Sequence, residues 1–137
     1  MFRRSKNILN IFYLTIATTI VLFLFSSQIY DIIMSDEIKS QVEEAIAKNH
    51  IMVFSKSYCP YCNRAKQTLD ELKVKYQALE LDTMEDGPAI QNYLAEKTNQ
   101  KTVPSIFIGQ KHIGGNSELQ ALHNKGELET LVEPAKV

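Results

Sequence analysis

The stretch Ile51-Met52-Val53-Phe54-Ser55-Lys56-Ser57-Tyr58-Cys59-Pro60-Tyr61-Cys62 holds both cysteines of the 137-residue chain. Its first four residues are apolar, which predicts a short buried β-strand. Beyond the second cysteine, apolar residues recur at helical spacing at Ala65, Leu69 and Leu72. The stretch therefore predicts a strand that turns directly into a helix, with Cys59 at the helix N-terminus.

This position favours a reactive thiol at Cys59. The free N–H groups and the dipole of a helix N-terminus stabilise an anion, and the thiolate is the reactive form of cysteine. Pro60 suits the first helical turn, where its missing N–H costs nothing. Because only two residues separate the cysteines, the Cys62 sulfur can reach the first one. The spacing predicts a disulfide that opens and closes.

Two structural interpretations of the cysteine pair are weaker. A tetrahedral zinc site needs a second pair of ligands. The histidines His50, His112 and His123 do not have the spacing of zinc-finger ligands. A disulfide that closes so short a loop removes little chain entropy, so a purely structural bridge is disfavoured. We therefore expect redox chemistry and no bound metal.

Composition excludes other classes of function. The chain is 45% hydrophobic and 23% charged with a net charge of −1, a balance that gives no reason to expect nucleic-acid binding. Two cysteines cannot form a disulfide framework, so the fold must rely on a hydrophobic core. Composition changes near Met34, which divides the chain into segment 1–33 and domain 34–137.

Segment 1–33 has the features of a membrane anchor. Ile8 to Phe25 is an uncharged stretch of 18 residues, close to the minimum for a membrane-spanning helix and longer than the core of a cleaved signal peptide. We predict a hydrophobic helix that enters a membrane of the secretory pathway through residues 8–25, with Arg3 and Arg4 on the cytosolic side. A mitochondrial targeting segment is an alternative, because the region is basic and acid-free. A shorter product that starts at Met34 would be cytoplasmic.

The rest of the chain predicts the element order α-β-α-β-α-β-β-α-α. The predicted elements are a helix at about 36–48, a strand at 50–55, a helix to about Lys73, a strand at 76–81, a helix around 90–94, strands at 105–108 and 111–113 joined by Gly109-Gln110, and two C-terminal helices. We expect Ser117 to cap the first C-terminal helix, with Gln120 completing a capping box. We also expect His112 to be a strand residue that faces solvent. A helix connects the first two strands, so they should be parallel, and the last two should form an antiparallel hairpin. This is an α/β fold with a four-stranded mixed sheet flanked by helices.

Three motifs together resemble one known family. Cys59-Pro60-Tyr61-Cys62, then Thr102-Val103-Pro104, then Gly114-Gly115 are similar in order and spacing to a dithiol glutaredoxin over about residues 36–134. The run from Lys111 to Asn116 looks especially like the fungal members. The resemblance implies a thioredoxin-like fold. Segment 1–33 lies outside the family pattern.

The resemblance also implies a glutathione site. In the family, the position of Cys59 is the nucleophile and that of Cys62 the resolving thiol. The implied glutathione contacts are Lys56 and Gln91 for the glycine carboxylate, Thr102 and Val103 for the cysteine backbone, Pro104 as the cis-proline, Tyr61 beside the sulfur, Ser117 for the γ-glutamyl end, and Gly115. A lysine and a helix N-terminus are suitable partners for carboxylates, and an extended peptide can add to a free backbone edge. Several relatives have Asp where this chain has Glu118, so the resemblance gives that residue no role.

The function that these residues imply is glutathione-dependent reduction of protein–glutathione mixed disulfides and of protein disulfides. The expected partners are glutathione and glutathionylated or disulfide-containing proteins, and we expect a monomer. One alternative is a glutathione-ligated [2Fe–2S] cluster between two subunits, which Pro60 disfavours because it stiffens the turn. Another is a thiol oxidase or isomerase of the secretory lumen, which the anchor would allow.

Overall fold

A computed structural model describes residues 3–137, with side chains from Leu9 onward. The helices are α1 (Arg3–Lys48), α2 (Pro60–Glu71), α3 (Gly87–Thr98), α4 (Asn116–Asn124) and α5 (Leu128–Val132). The strands are β1 (Ile51–Ser55), β2 (Gln77–Glu80), β3 (Ser105–Ile108) and β4 (Lys111–Gly114). Short 3₁₀ turns cover Leu81–Thr83 and Glu133–Ala135. The predicted order of helices and strands is confirmed.

The four strands form one mixed sheet in the order β2-β1-β3-β4. Strand β1 is parallel to β2, with Val53 opposite Ala78, and antiparallel to β3, with Val53 opposite Ile106. Strands β3 and β4 form the predicted antiparallel hairpin. Gly109 and Gln110 at its turn have φ of 56° and 67°, the positive values that a two-residue turn between twisted strands requires.

Strand β1 is buried on both faces of the sheet. Its odd-numbered residues, Ile51 and Val53, pack in a cluster with apolar residues of α2, α4 and α5. Its even-numbered residues, Met52 and Phe54, pack in a second cluster with α3 and with the part of α1 that begins at Ile38. The Phe54 ring meets the Phe107 ring edge to face at 5.9 Å. The fold is therefore the thioredoxin-like α/β arrangement expected from the resemblance, with helices on both faces of the sheet.

Helix α1 begins much earlier than the predicted helix at about 36–48. No Gly or Pro occurs between residues 3 and 48, so nothing in the local chemistry breaks the helix. The chain divides into two compact units between Glu37 and Ile38. The division into 1–33 and 34–137 stays a prediction. The predicted cytosolic placement of Arg3 and Arg4 depends on side chains that lie outside the described part of the chain.

The start of α4 differs from the prediction. Gly115, not Ser117, is the N-cap residue, and its N–H donates to Glu118 Oε2 at 2.8 Å. Gly114 has φ of 123°, and a Cβ there would lie 2.7 Å from Glu118 Cγ. The missing side chain thus leaves room for Glu118 to fold back. The Gln120 amide instead donates to Thr68 Oγ1 on α2 at 2.8 Å.

His112 is half-buried, so the prediction that it faces solvent is wrong. Its Nε2 lies 3.2 Å from Ser105 Oγ, and its ring centroid is 5.0 Å from that of Phe107. Burial lowers the pKa of this imidazole, with a smaller opposing effect from Glu118. The side chain is part of the packing between β3 and β4.

Candidate active site

Cys59 is the N-cap residue of α2. Its Sγ accepts a hydrogen bond from the Cys62 N–H at 3.4 Å, and its own N–H donates to Lys56 O at 3.0 Å. The same sulfur lies 3.8 Å from the carbonyl oxygen of Val103. An N–H group of the first helical turn therefore points at the sulfur, as expected at the N-cap position of a helix.

Cys62 has a different environment one turn further along the helix. Its side chain is fully buried, whereas Cys59 retains 9% of its accessible surface. Burial, followed by the hydrogen bond with Cys59, raises the pKa of the Cys62 thiol to about 11. Both cysteines are free thiols. At neutral pH, Cys62 is thus a protonated thiol held behind the more exposed Cys59.

The loop that leads into Cys59 is held by Asp82. This carboxylate accepts hydrogen bonds from the Ser57 N–H at 2.8 Å and from the Ser57 hydroxyl. These two hydrogen bonds lower the pKa of Asp82, and the bond from the hydroxyl has the larger effect. The nearby charge of Lys56 lowers this pKa further. Lys56 itself is half-exposed on this loop. No local sequence pattern marks Asp82, because its partner lies 25 residues away along the chain.

A second segment, Lys101–Pro104, lies directly before β3, and its Val103 carbonyl lies beside the Cys59 sulfur. The Val103–Pro104 peptide bond is cis, as the resemblance implies for Pro104. The Gln91 amide donates to Lys101 O at 3.0 Å. The Gln100 amide donates to Thr102 O at 2.9 Å and to Pro104 O at 2.8 Å. Among residues 3–137, the Val103 N–H donates no hydrogen bond. No local sequence pattern marks Gln100 as a residue of the site.

An open groove of about 460 Å³ runs from the cysteine turn to the start of α4. Its size lies within the range of about 300–1,000 Å³ that is usual for small-molecule sites. The residues that line it are Tyr61, Gln100, Thr102, Val103, Pro104, Gly115, Asn116, Ser117 and Glu118. The structure thus brings together six of the predicted glutathione contacts along one groove. Lys56 and Gln91 do not line it.

The groove offers the groups that a small peptide with carboxylates would need. Tyr61 is 65% exposed and presents an aromatic surface. Thr102 and Ser117 are exposed, and Ser117 lies in the first turn of α4, where helix amides favour an anion. In the described part of the chain, no group of three or more His, Cys, Asp or Glu side chains could hold a metal ion.

The two thiols should react at very different rates. At pH 7.5, we expect iodoacetamide to modify Cys59 while Cys62 stays unmodified, since only thiolates react appreciably and the pKa of Cys62 is about 11. The Cys59→Ser variant loses the hydrogen bond between the two thiols, but Cys62 stays buried. Alkylation of Cys62 in this variant should therefore stay slow at neutral pH and accelerate only in strongly alkaline solution. Mass spectrometry after timed quenching measures both rates. Equal modification of both cysteines at pH 7.5 would contradict this assignment.

Comparison with known proteins agrees with this geometry. The glutaredoxin family model matches residues 51–113. A glutaredoxin of Ricinus communis is 49% identical over 96 residues, which are 70% of this chain and 94% of that protein. Glutaredoxin-2 of Schizosaccharomyces pombe is 48% identical over 103 residues, 75% of this chain and 94% of that protein. The crystal structure of a buckwheat glutaredoxin–glutathione complex superposes with a TM-score of 0.73 at 39% identity, over 75% of this chain and 96% of that one. The chain therefore belongs to the glutaredoxin family of glutathione-dependent thiol–disulfide oxidoreductases.

Proposed function

We propose that this glutaredoxin reduces protein–glutathione mixed disulfides, and also protein disulfides, with Cys59 as the nucleophile. The observation that carries the proposal is the placement of the Cys59 sulfur. It lies at the N-terminus of α2 and 3.8 Å from the backbone of Val103, which lines the groove. A glutathionyl group bound along that groove would present its sulfur to Cys59.

The groove suggests how glutathione is held. The Val103 N–H is free to pair with the backbone of the glutathione cysteine, as in the addition of a short β-strand. The γ-glutamyl end would then lie near Gly115 and Ser117, at the positive end of the α4 dipole. Lys56 would attract the glycine carboxylate from outside the groove. Support for these roles comes from the lining residues and from the glutathione complex of the buckwheat relative.

The reaction with a glutathionylated protein needs only one cysteine. The Cys59 thiolate attacks the glutathionyl sulfur, a Cys59–glutathione disulfide forms, and the protein leaves as a thiolate that takes up a proton. A second glutathione thiolate then attacks the glutathione sulfur of that disulfide. Glutathione disulfide leaves and the Cys59 thiolate is restored, so one free glutathione thiol is oxidised for each protein thiol regenerated, and the other half of the glutathione disulfide comes from the substrate.

Cys62 is needed only when the substrate is a protein disulfide. Cys59 first forms a mixed disulfide with the protein, and Cys62 then attacks the Cys59 sulfur and releases the second protein thiol. Two glutathione molecules reduce the resulting Cys59–Cys62 disulfide. Because burial keeps Cys62 protonated at neutral pH, its attack on a Cys59–glutathione disulfide is slowed. This favours the one-cysteine route for glutathionylated substrates.

The cysteine variants test this division of roles. We expect Cys59→Ser to lose all glutathione-linked activity, because Cys62, the other cysteine of the chain, is fully buried. Cys62→Ser should keep at least about half of the wild-type rate on a glutathionylated peptide and lose most activity on a protein disulfide. The measurement is coupled oxidation of NADPH through glutathione reductase. If both variants are equally inactive on the glutathionylated peptide, the one-cysteine route is wrong.

A charge reversal tests the role of Lys56. Lys56→Glu places a negative charge beside the proposed glycine carboxylate and the Cys59 thiolate, so we expect a several-fold higher KM for glutathione and slower alkylation of Cys59 at neutral pH. Lys75→Glu is the matched control, since Lys75 is exposed on the segment before β2. Identical kinetics for the two variants would assign Lys56 to the solvated surface.

The apolar part of α1 acts in this proposal as a membrane anchor. Among the described residues, α1 is the one helix long and apolar enough to cross a bilayer, and its apolar stretch has no buried side chains. The 18 uncharged residues would span about 27 Å at a rise of about 1.5 Å per residue, close to the hydrocarbon core of about 30 Å. The hydroxyls of Thr15, Thr18, Thr19, Ser26 and Ser27 each donate to the carbonyl three residues earlier. These polar groups are therefore satisfied within the helix, as a lipid environment requires.

Fractionation tests the anchor. We expect the full chain to stay with membranes after a carbonate wash, while a chain that starts at Met34 stays in the supernatant with the same specific activity. Ile16→Lys with Ile20→Lys should release the full chain, since a charge at a helix centre costs about 2.5–3.5 kcal/mol on insertion. Ser35→Lys with Ser40→Lys is the matched control outside the apolar stretch. Intact wild-type chain found wholly in the wash supernatant would rule out the anchor, and organelle markers separate the secretory from the mitochondrial location.

The alternative functions have separate readouts. Iron and acid-labile sulfide bound by anaerobically purified chain would favour a [2Fe–2S] cluster. Faster turnover of scrambled disulfide substrates than of glutathionylated ones would favour a lumenal oxidase or isomerase.

A further inference from the structure

The backbone carbonyls of residues 101–104 do not all face the same way. Two glutamine side chains hold three of them, those of Lys101, Thr102 and Pro104. The fourth, the Val103 carbonyl, lies 3.8 Å from Cys59 Sγ. Val103 is therefore the one residue of this segment whose carbonyl meets the reactive sulfur.

The Gln100 side chain donates hydrogen bonds to the residues on both sides of Val103. Its amide nitrogen donates one hydrogen bond to the residue before Val103, at 2.9 Å, and one to the residue after it, at 2.8 Å. A primary amide has two N–H donors, so both are used. The first bond holds the peptide group that carries the Val103 N–H, and the second holds the peptide group that follows Pro104.

The glutamine itself is fixed at its base. The Gln100 N–H donates to Thr98 Oγ1 at 3.2 Å, and that hydroxyl donates to Leu94 O within α3 at 2.7 Å. A Cβ built on Gly115 would lie 3.6 Å from the Gln100 amide nitrogen and 3.5 Å from Pro104 O. The side chain thus links the end of α3 to the start of α4 across the segment that carries Val103.

We propose that Gln100 is a positioning residue for glutathione: its amide holds the Thr102 and Pro104 carbonyls so that the N–H of Val103 stays presented to the groove. This inference rests on the proposed function, in which Val103 pairs with the glutathione backbone. Residues 101–104 belong to no helix or strand. Without the amide, the segment would have to be ordered on binding, and that cost would weaken the affinity for glutathione.

The test replaces the amide without changing the length of the side chain. Gln100→Met keeps a similar shape and removes both donors. Gln77→Met is the matched control, because Gln77 also donates its amide to a backbone carbonyl, that of Ala78, but on the exposed edge strand. The full chain in mild detergent is assayed for KM and kcat with glutathione and a glutathionylated peptide, for the rate of Cys59 alkylation by iodoacetamide, and for thermal unfolding.

A positioning role predicts a split between these measurements. We expect Gln100→Met to raise the KM for glutathione at least fivefold, to change the alkylation rate less than twofold, and to unfold within a few degrees of Gln77→Met. A KM within twofold of the Gln77→Met value overturns the inference. A parallel loss of alkylation rate, kcat and thermal stability also overturns it, since that result describes a general structural role.

A second variant covers the case in which Gln100→Met does not fold. Gln100→Asn keeps the amide on a shorter side chain that cannot span both carbonyls, and Gln77→Asn is its control. A raised KM with unchanged alkylation supports the inference, and a KM equal to that of the control overturns it. If wild-type chain and the Gln77 variants fail to reduce the glutathionylated peptide, the proposed function itself has failed and this inference fails with it.

Discussion

Burial of strand β1 on both faces of the sheet is the constraint on which the rest of the domain depends. Its residues pack alternately into the two halves of the core, and none of the five retains accessible surface. A strand held in this way has no freedom at its carboxyl end. The loop of Lys56, Ser57 and Tyr58 therefore starts from a fixed position, and a hydrogen bond from Ser57 to Asp82 holds it in place. As a result, Cys59 has one defined position at the N-terminus of α2.

The same short helix gives its two sulfurs opposite chemistry. Cys59 lies at the helix start, where the Cys62 N–H points at its sulfur and Val103, a residue of the groove, lies beside it. Cys62 lies one turn further in, where burial raises the pKa of its thiol to about 11. The different exposure of the two thiols thus follows from their positions along one helical turn. In the proposed mechanism, slow attack by the buried thiol leaves time for a second glutathione to complete the one-cysteine cycle.

The N-terminal part of α1 differs from the folded domain in the exposure of its apolar side chains. Its apolar side chains are exposed along the whole stretch, and its hydroxyls turn back onto the helix backbone. Such a helix is more favourably placed in lipid than in water. None of the residues assigned to the chemistry lies in it. If the proposed anchor holds, it is separable from the enzyme, with location depending on the first segment and catalysis on the second.

Local sequence by itself determined the order of helices and strands, the position of Cys59 at a strand-to-helix turn, and the uncharged stretch near the N-terminus. These features depend on neighbours a few residues apart, which periodicity and spacing record directly. Only the tertiary structure decided the half-buried state of His112, the carboxylate of Asp82 on a loop 25 residues earlier, and the carbonyl of Val103 beside a sulfur 44 residues earlier. Such contacts depend on how the sheet and its helices pack. Gln100 gave no sequence signal, because a glutamine becomes a positioning residue only through the two carbonyls that the fold brings within its reach.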